Sequence, residues 1–116
     1  MPYTINEEKV FPESPDQVYA AVKAAVTGLE GKVLNEDAAA KQVNIQFHKT
    51  IHGKVLGDRT VFQTQVAEDA DGTKLVVEAF PVDAVGRKLQ FGARKGVTRT
   101  VLNWFWAHID HNLKKA

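Results

Sequence analysis

The C-terminal stretch decides the fold that this sequence predicts: residues 86–96 read GRKLQFGARKG, and residues 97–114 read VTRTVLNWFWAHIDHNLK. The first part is basic and interrupted by glycines, and the second is the longest helical pattern in the chain. At about 100° per residue, the apolar side chains of this helix occupy an arc of about 200°. In angular order the arc contains Trp104, Val97, His108, Val101, Phe105, Ile109, Leu102, Leu113 and Trp106. A flat sheet covers a narrower arc of a helix than about 200°. We therefore expect a curved sheet to grip this helix, or another element to bury one edge of the helix.

A second helical pattern lies near the N-terminus. Ser14 is placed to cap this helix, a proline follows in its first position, and Gln17 completes a capping box. Apolar residues then recur at helical spacing, namely Val18, Val22, Ala25, Val26 and Leu29. The pattern predicts a helix over residues 15–29, for which Gly28 and Gly31 offer C-terminal stops.

Alternation of apolar and polar residues predicts about five strands in the rest of the chain. They cover residues 3–11, 32–36, 42–53, 59–67 and 73–82. The alternation is clearest in the third strand, whose apolar residues share one face except at Lys49. The order strand, helix, four antiparallel strands, helix predicts a single α+β domain over residues 1–116. We expect an antiparallel sheet of about five strands, curved around the long C-terminal helix.

The composition excludes several classes of chemistry. The chain has no cysteine, so disulfides and thiol catalysis are excluded, and its one serine, Ser14, is used as a helix cap. No catalytic constellation is recognisable, so an enzyme would have to work with isolated His, Tyr or Asp groups in a cavity. No cofactor is indicated. Without an apolar run of transmembrane length or a secretory signal, we expect a cytoplasmic protein with no membrane insertion.

Residues 11–22, which read FPESPDQVYAAV, resemble the opening of the START-like helix-grip superfamily, also called SRPBCC. That superfamily includes the polyketide cyclase-like and Bet v 1-like proteins. The resemblance covers the whole chain in element order but only about a dozen residues in sequence. Members usually have six strands after the first helical segment, whereas about four are predicted here, which implies a reduced version with a smaller cavity or none. A TBP-like layout, with both helices on one face of the sheet, fits the same element order.

The resemblance implies binding of an apolar or amphipathic small molecule between the sheet and the C-terminal helix. Some members of the superfamily also have cyclase, hydrolase or chaperone-cofactor activity. The superfamily has no universal set of catalytic residues, so the resemblance implies none in this sequence. The residues predicted to contact a ligand are Phe47, Phe62, Phe91, Val101, Trp104, Phe105 and His108. Packing in the core is the alternative role for these side chains. A structural or interaction module is a further alternative, as a homodimer formed through the apolar helix edge near Trp106.

Charge is distributed unevenly along the chain. Residues 1–83 contain 8 Lys or Arg and 13 Asp or Glu, whereas residues 84–116 contain 7 and 1. The basic segment precedes a helix N-terminus, where free N–H groups attract anions. Its candidate anion-binding residues are Arg87, Lys88, Arg94, Lys95 and Arg99. The alternative is attraction between the two halves within one fold. We expect no nucleic-acid partner, because no nucleic-acid motif is present.

The histidines and acidic loops do not predict a metal site. His48 and His52 lie on one strand face about 13 Å apart, too far to bind one metal. On the C-terminal helix, His108 falls in the apolar arc and His111 on the polar side. The acidic residues at 68–72 indicate a hairpin loop, because the spacing required of a calcium loop is not met.

Overall fold

The computed structural model describes residues 3–89 and 96–115, with only the backbone described at residue 115. The elements are β1 (Ile5–Phe11), α1 (Pro15–Gly28), β2 (Lys32–Asp37), β3 (Gln42–Phe47), β4 (Thr50–Ile51), β5 (Lys54–Val55), β6 (Arg59–Asp69), β7 (Gly72–Val82) and α2 (Val97–Lys115). Five strands form an antiparallel sheet in the order β1-β7-β6-β3-β2, and β4 and β5 form a separate two-stranded ribbon. The predicted α+β class, the five-stranded sheet and the long C-terminal helix are confirmed.

Helix α1 begins as its sequence predicts. The Ser14 hydroxyl accepts a hydrogen bond from the Gln17 backbone (3.2 Å), and the Gln17 side chain accepts one from the Ser14 backbone (3.0 Å). These two bonds satisfy donors that a helix start otherwise leaves without partners. The apolar face is buried through Val18, Ala21, Val22, Ala25 and Val26.

The end of α1 differs in detail from the prediction. The Gly31 N–H donates to the Val26 carbonyl (2.8 Å) and the Glu30 N–H to the Thr27 carbonyl (3.1 Å), which is the bonding of a Schellman motif. The left-handed residue of this motif is Glu30, with φ 60°, rather than either of the two glycines. Glycine at position 31 serves packing instead, because an added Cβ would lie 2.7 Å from the Phe47 ring.

The predicted strand over 42–53 is wrong beyond β3. After β3 the His48 ring accepts a hydrogen bond from the Thr50 backbone (3.1 Å), and the chain turns into the β4–β5 ribbon. His52 and Gly53 form the loop of this ribbon, with φ 49° and 79°. Positive φ at both central residues is what a type I′ hairpin turn requires. Within the described residues, six strands therefore follow α1 where about four were predicted, and two of the six contain only two residues each.

Aromatic rings fill the space between the sheet and α2. Phe47 and Phe62 lie with ring centroids 4.8 Å apart, and Phe105 of α2 lies 5.0 Å from Phe62 and 6.4 Å from Phe47, all edge to face. All three side chains are fully buried. Helix α1 packs against α2, and both helices contact β6 and β7. The core is thus a filled interior that joins both helices to one face of the sheet.

Candidate functional site

The two long edges of α2 differ in how they are covered. At the edge next to β1, the Trp106 indole is only 4% exposed. Its N–H donates to Glu7 (2.8 Å), its ring lies 6.5 Å from that of Phe11, and the Lys9 ammonium lies 4.8 Å from its centroid. Because this indole is buried within the chain, it does not provide the exposed apolar edge near Trp106 on which the predicted homodimer was based; a homodimer itself stays a prediction.

Glu7 connects β1 to α2 through its carboxylate. One oxygen accepts from Trp106, and the other accepts from the Arg99 guanidinium at 2.8 Å. Burial raises the pKa of Glu7, but the hydrogen bonds from Arg99 and Trp106 and the nearby positive charges outweigh burial, so that the pKa lies below 4.5. The edge next to β1 is therefore closed by packing and by a charge-assisted contact.

At the opposite edge of α2 lies an open groove of about 440 Å³, which we call the Trp104 groove. It lies between the end of α1, the β4–β5 ribbon and α2. Its lining residues are Leu29, Ile51, His52, Lys54, Trp104, Ala107 and His108. Leu29 and Ile51 are buried and form an apolar floor, and Trp104 is half-buried. The Lys54 ammonium lies 5.7 Å from the centroid of the Trp104 ring.

The β4–β5 ribbon is held in place by the end of α1. The His52 backbone N–H donates to the Glu30 carboxylate at 2.7 Å, and the His52 Nε2 lies within hydrogen-bond distance of the Gly28 carbonyl. That carbonyl belongs to the last turn of α1, where carbonyls lack partners within the helix. His52 therefore satisfies the helix end and, at the same time, places Lys54 beside Trp104.

His108 packs against the backbone of α1 at the edge of the groove. A Cβ added at Gly28 would lie 2.7 Å from the His108 Nδ1, so only glycine leaves room for the imidazole in this position. His108 is half-buried, and its side chain makes no hydrogen bond to other residues in the described ranges 3–89 and 96–115. The imidazole thus forms a polar part of the groove wall whose hydrogen-bonding capacity is unused by the described chain.

The residues predicted to contact a ligand fall into two groups. Phe47, Phe62, Val101 and Phe105 are each 0% exposed and belong to the filled core. Trp104 and His108 line the Trp104 groove. Phe91 lies outside the described residues. The structure therefore brings two of the predicted residues together at an accessible surface.

Each predicted anion-binding residue that the structure describes contacts a different partner. Arg87 pairs with Asp83 (3.4 Å), the Lys88 ammonium lies 4.4 Å from the Phe80 ring centroid, and Arg99 pairs with Glu7. Arg94 and Lys95 lie outside the described residues. For Arg99 the partner is an acid of the N-terminal strand, as the alternative of attraction within one fold predicts.

A second groove, of about 520 Å³, crosses the outer face of the sheet. Side chains of five neighbouring strands form an in-register row there, namely Asn35, Asn44, Gln63, Glu78 and Asn6. Part of its hydrogen-bonding capacity is used internally, since Asn44 donates to Asn35 (3.0 Å) and Gln42 donates to Gln65. Apolar lining is confined to Val76 and the side-chain stems, so this groove resembles the solvated face expected of a sheet with one buried side.

Two further findings concern the described residues only. Within residues 3–89 and 96–115, no three His, Asp or Glu side chains come together in an arrangement that could hold a metal ion. No helix in this part of the chain combines the length and apolar character needed to cross a membrane.

No family model and no curated protein matches this sequence. Solved structures do match over nearly the whole chain. The Bet v 1 allergen Ara h 8.0201 aligns with a TM-score of 0.60 at 14% identity, covering 97% of this chain and 98% of its own. The fold is Bet v 1-like.

Two bacterial structures share this fold. Protein MLL2253 from Mesorhizobium loti aligns with a TM-score of 0.56 at 14% identity, over 97% of this chain and 98% of its own. Protein CV1439 from Chromobacterium violaceum aligns with a TM-score of 0.51 at 14% identity, over 97% and 95%. Both helices contact the same two strands of the sheet, so the position of the helices does not separate the helix-grip from the TBP-like layout. The matches to Bet v 1-like structures support the helix-grip layout. At such identities the likeness concerns the fold alone.

Proposed function

We propose that this protein binds an apolar or amphipathic small molecule in the Trp104 groove. The observation that carries the proposal is the combination of a half-buried indole with an apolar floor in one concave surface of about 440 Å³. Small-molecule sites are typically concave and mostly apolar, with a few polar groups that orient the ligand. The groove has this composition, whereas the larger groove on the outer face of the sheet is lined mainly by carboxamides and carboxylates.

The filled core supports a site at the helix edge rather than under the helix. Phe47, Phe62 and Phe105 occupy the space between the sheet and α2 with edge-to-face contacts. Protein interiors pack at the density of organic crystals, so a ligand could enter there only by displacing buried rings. At the Trp104 edge a ligand would displace water from apolar surface, which is favourable. The proposed ligand therefore lies beside α2, between the end of α1 and the β4–β5 ribbon.

The two tryptophans provide a test that needs no knowledge of the natural ligand. The probe is N-phenyl-1-naphthylamine, an uncharged apolar dye whose emission rises in apolar surroundings and which accepts energy from tryptophan. We expect Trp106→Phe, which keeps Trp104, to show quenching of indole emission on titration. Trp104→Phe, which keeps only the indole at the closed edge, is expected to show weaker quenching and weaker dye binding.

Urea unfolding of both variants serves as the control for folding. The proposal fails if the dye leaves the emission of folded wild-type protein unchanged. It also fails if Trp104→Phe binds the dye as tightly as the wild type while Trp106→Phe loses binding, since the ligand would then lie at the edge next to β1.

A further inference from the structure

A lysine without an acidic partner lies at the rim of the Trp104 groove. The Lys54 ammonium lies over the Trp104 ring, 5.7 Å from its centroid. None of the ion pairs in the described ranges 3–89 and 96–115 includes Lys54. A cation over an indole face is attracted by the ring, but this contact leaves the ammonium hydrogens available for an anion.

The Glu30 carboxylate, which holds the ribbon next to the groove, is engaged elsewhere. Glu30 accepts from the His52 backbone at 2.7 Å, and its oxygen lies 3.9 Å from the His52 Nδ1. Glu30 thereby holds the ribbon loop and forms no ion pair with Lys54. On the other wall of the groove, the His108 side chain makes no hydrogen bond to the described chain. Two polar groups able to donate to an anion therefore border an apolar floor.

We infer that the ligand of the Trp104 groove is an apolar carboxylate, an inference that rests on the function proposed above. The apolar body of the ligand lies on Leu29, Ile51 and the Trp104 ring. Its carboxylate accepts from the Lys54 ammonium and from the His108 imidazole. Charge complementarity selects the head group, because an uncharged ligand of the same shape would leave the ammonium without an ionic partner.

A matched pair of ligands isolates the head group. The probes are 2-naphthoate and 2-naphthamide, which share one ring system and differ in charge at neutral pH. Binding is followed by changes in the backbone amide signals of 15N-labelled full-length protein. We expect the wild type to bind the carboxylate about fivefold more tightly than the amide, the range of a partly exposed ion pair. Lys54→Gln is expected to remove this preference while leaving the affinity for naphthamide unchanged.

Lys49→Gln is the matched control, since Lys49 is an exposed lysine in the turn before β4 that does not line the groove. We expect this variant to keep the preference for the carboxylate. Equal affinities of the wild type for both probes, or an undiminished preference in Lys54→Gln, overturn the inference but leave the proposed function standing. Failure of both probes to shift signals around the groove overturns both.

Discussion

Trp104 and Trp106 are two residues apart on one helix, yet they lie in opposite surroundings. Each has a lysine ammonium near its ring, Lys54 in one case and Lys9 in the other. What differs is the carboxylate: Glu7 accepts the Trp106 N–H and pairs with Arg99, which helps to hold β1 over that edge. No described residue in 3–89 or 96–115 accepts from the Trp104 indole N–H. The closed edge stabilises the fold, and the open edge leaves apolar surface available for a ligand.

The largest effect is expected from truncating the indole at the closed edge. Trp106→Ala removes a buried ring and leaves a cavity against Phe11, so we expect it to lower the free energy of unfolding by about 3–5 kcal/mol. Trp104→Ala removes a half-buried ring and is expected to cost about 1–2 kcal/mol. Urea unfolding followed by circular dichroism measures both. If Trp106→Ala does not fold, Trp106→Phe takes its place. Equal losses of unfolding free energy at the two positions would contradict the difference between the two edges.

The second prediction concerns the carboxylate that closes the edge. In the folded protein the pKa of Glu7 lies below 4.5, so the unfolded chain takes up the proton first as pH falls. The stabilisation is therefore present above about pH 4.5 and is lost as pH decreases through the folded pKa. We expect Glu7→Gln to reduce stability by about 1 kcal/mol at neutral pH and to flatten this acid dependence. Glu8→Gln, changed at an exposed position of the same strand, is the control.

A smaller effect is expected where α1 meets the open edge. In Gly28→Ala the new Cβ would approach the His108 Nδ1 to 2.7 Å, so the imidazole must move. We expect the affinity for N-phenyl-1-naphthylamine to fall while stability changes by less than about 1 kcal/mol, since alanine also favours the helix. Thr27→Ala, on the exposed side of the same turn, should leave the affinity unchanged. An unaltered affinity in Gly28→Ala would show that His108 does not border the binding surface.

The smallest expected difference is spectroscopic and is measured on the folded single-tryptophan proteins. Acrylamide quenching should be steeper for Trp106→Phe, which reports on Trp104, than for Trp104→Phe, which reports on Trp106. The reason is the difference in exposure, because Trp106 is only 4% exposed whereas Trp104 is half-buried. Equal quenching of the two single-tryptophan proteins would mean that the edges are equally open in solution.

Local patterns predicted most of the elements. The capping box of Ser14 and Gln17, the alternation in β6 and β7, and the apolar arc of α2 each depend on neighbouring residues. The break after β3 was missed because the apolar alternation continues to Ile51. The signal was present in Lys49, where the alternation fails, and in the His52-Gly53 pair, since histidine is enriched among residues with positive φ.

The site was predicted less completely than the fold. Trp104 and His108 were among the predicted residues, but Leu29, Ile51 and Lys54 were not. Lys54 reaches Trp104 because His52 attaches the ribbon to the end of α1, a contact between residues 24 positions apart. No periodicity within either segment encodes such a contact. The buried aromatic residues were harder to assign, because a ring that lines a cavity and a ring that fills one follow the same pattern.

The sequence alone therefore determined the helices, most of the strands and the apolar arc of α2, because these follow from backbone geometry and the spacing of apolar side chains. Only the tertiary structure decided which edge of that arc is closed. Glu7 and Arg99 are 92 positions apart, and their pairing arises when β1 joins β7 at the edge of the sheet. The opposite edge stays open because its neighbour is a ribbon of two-residue strands, which is too short to cover Trp104.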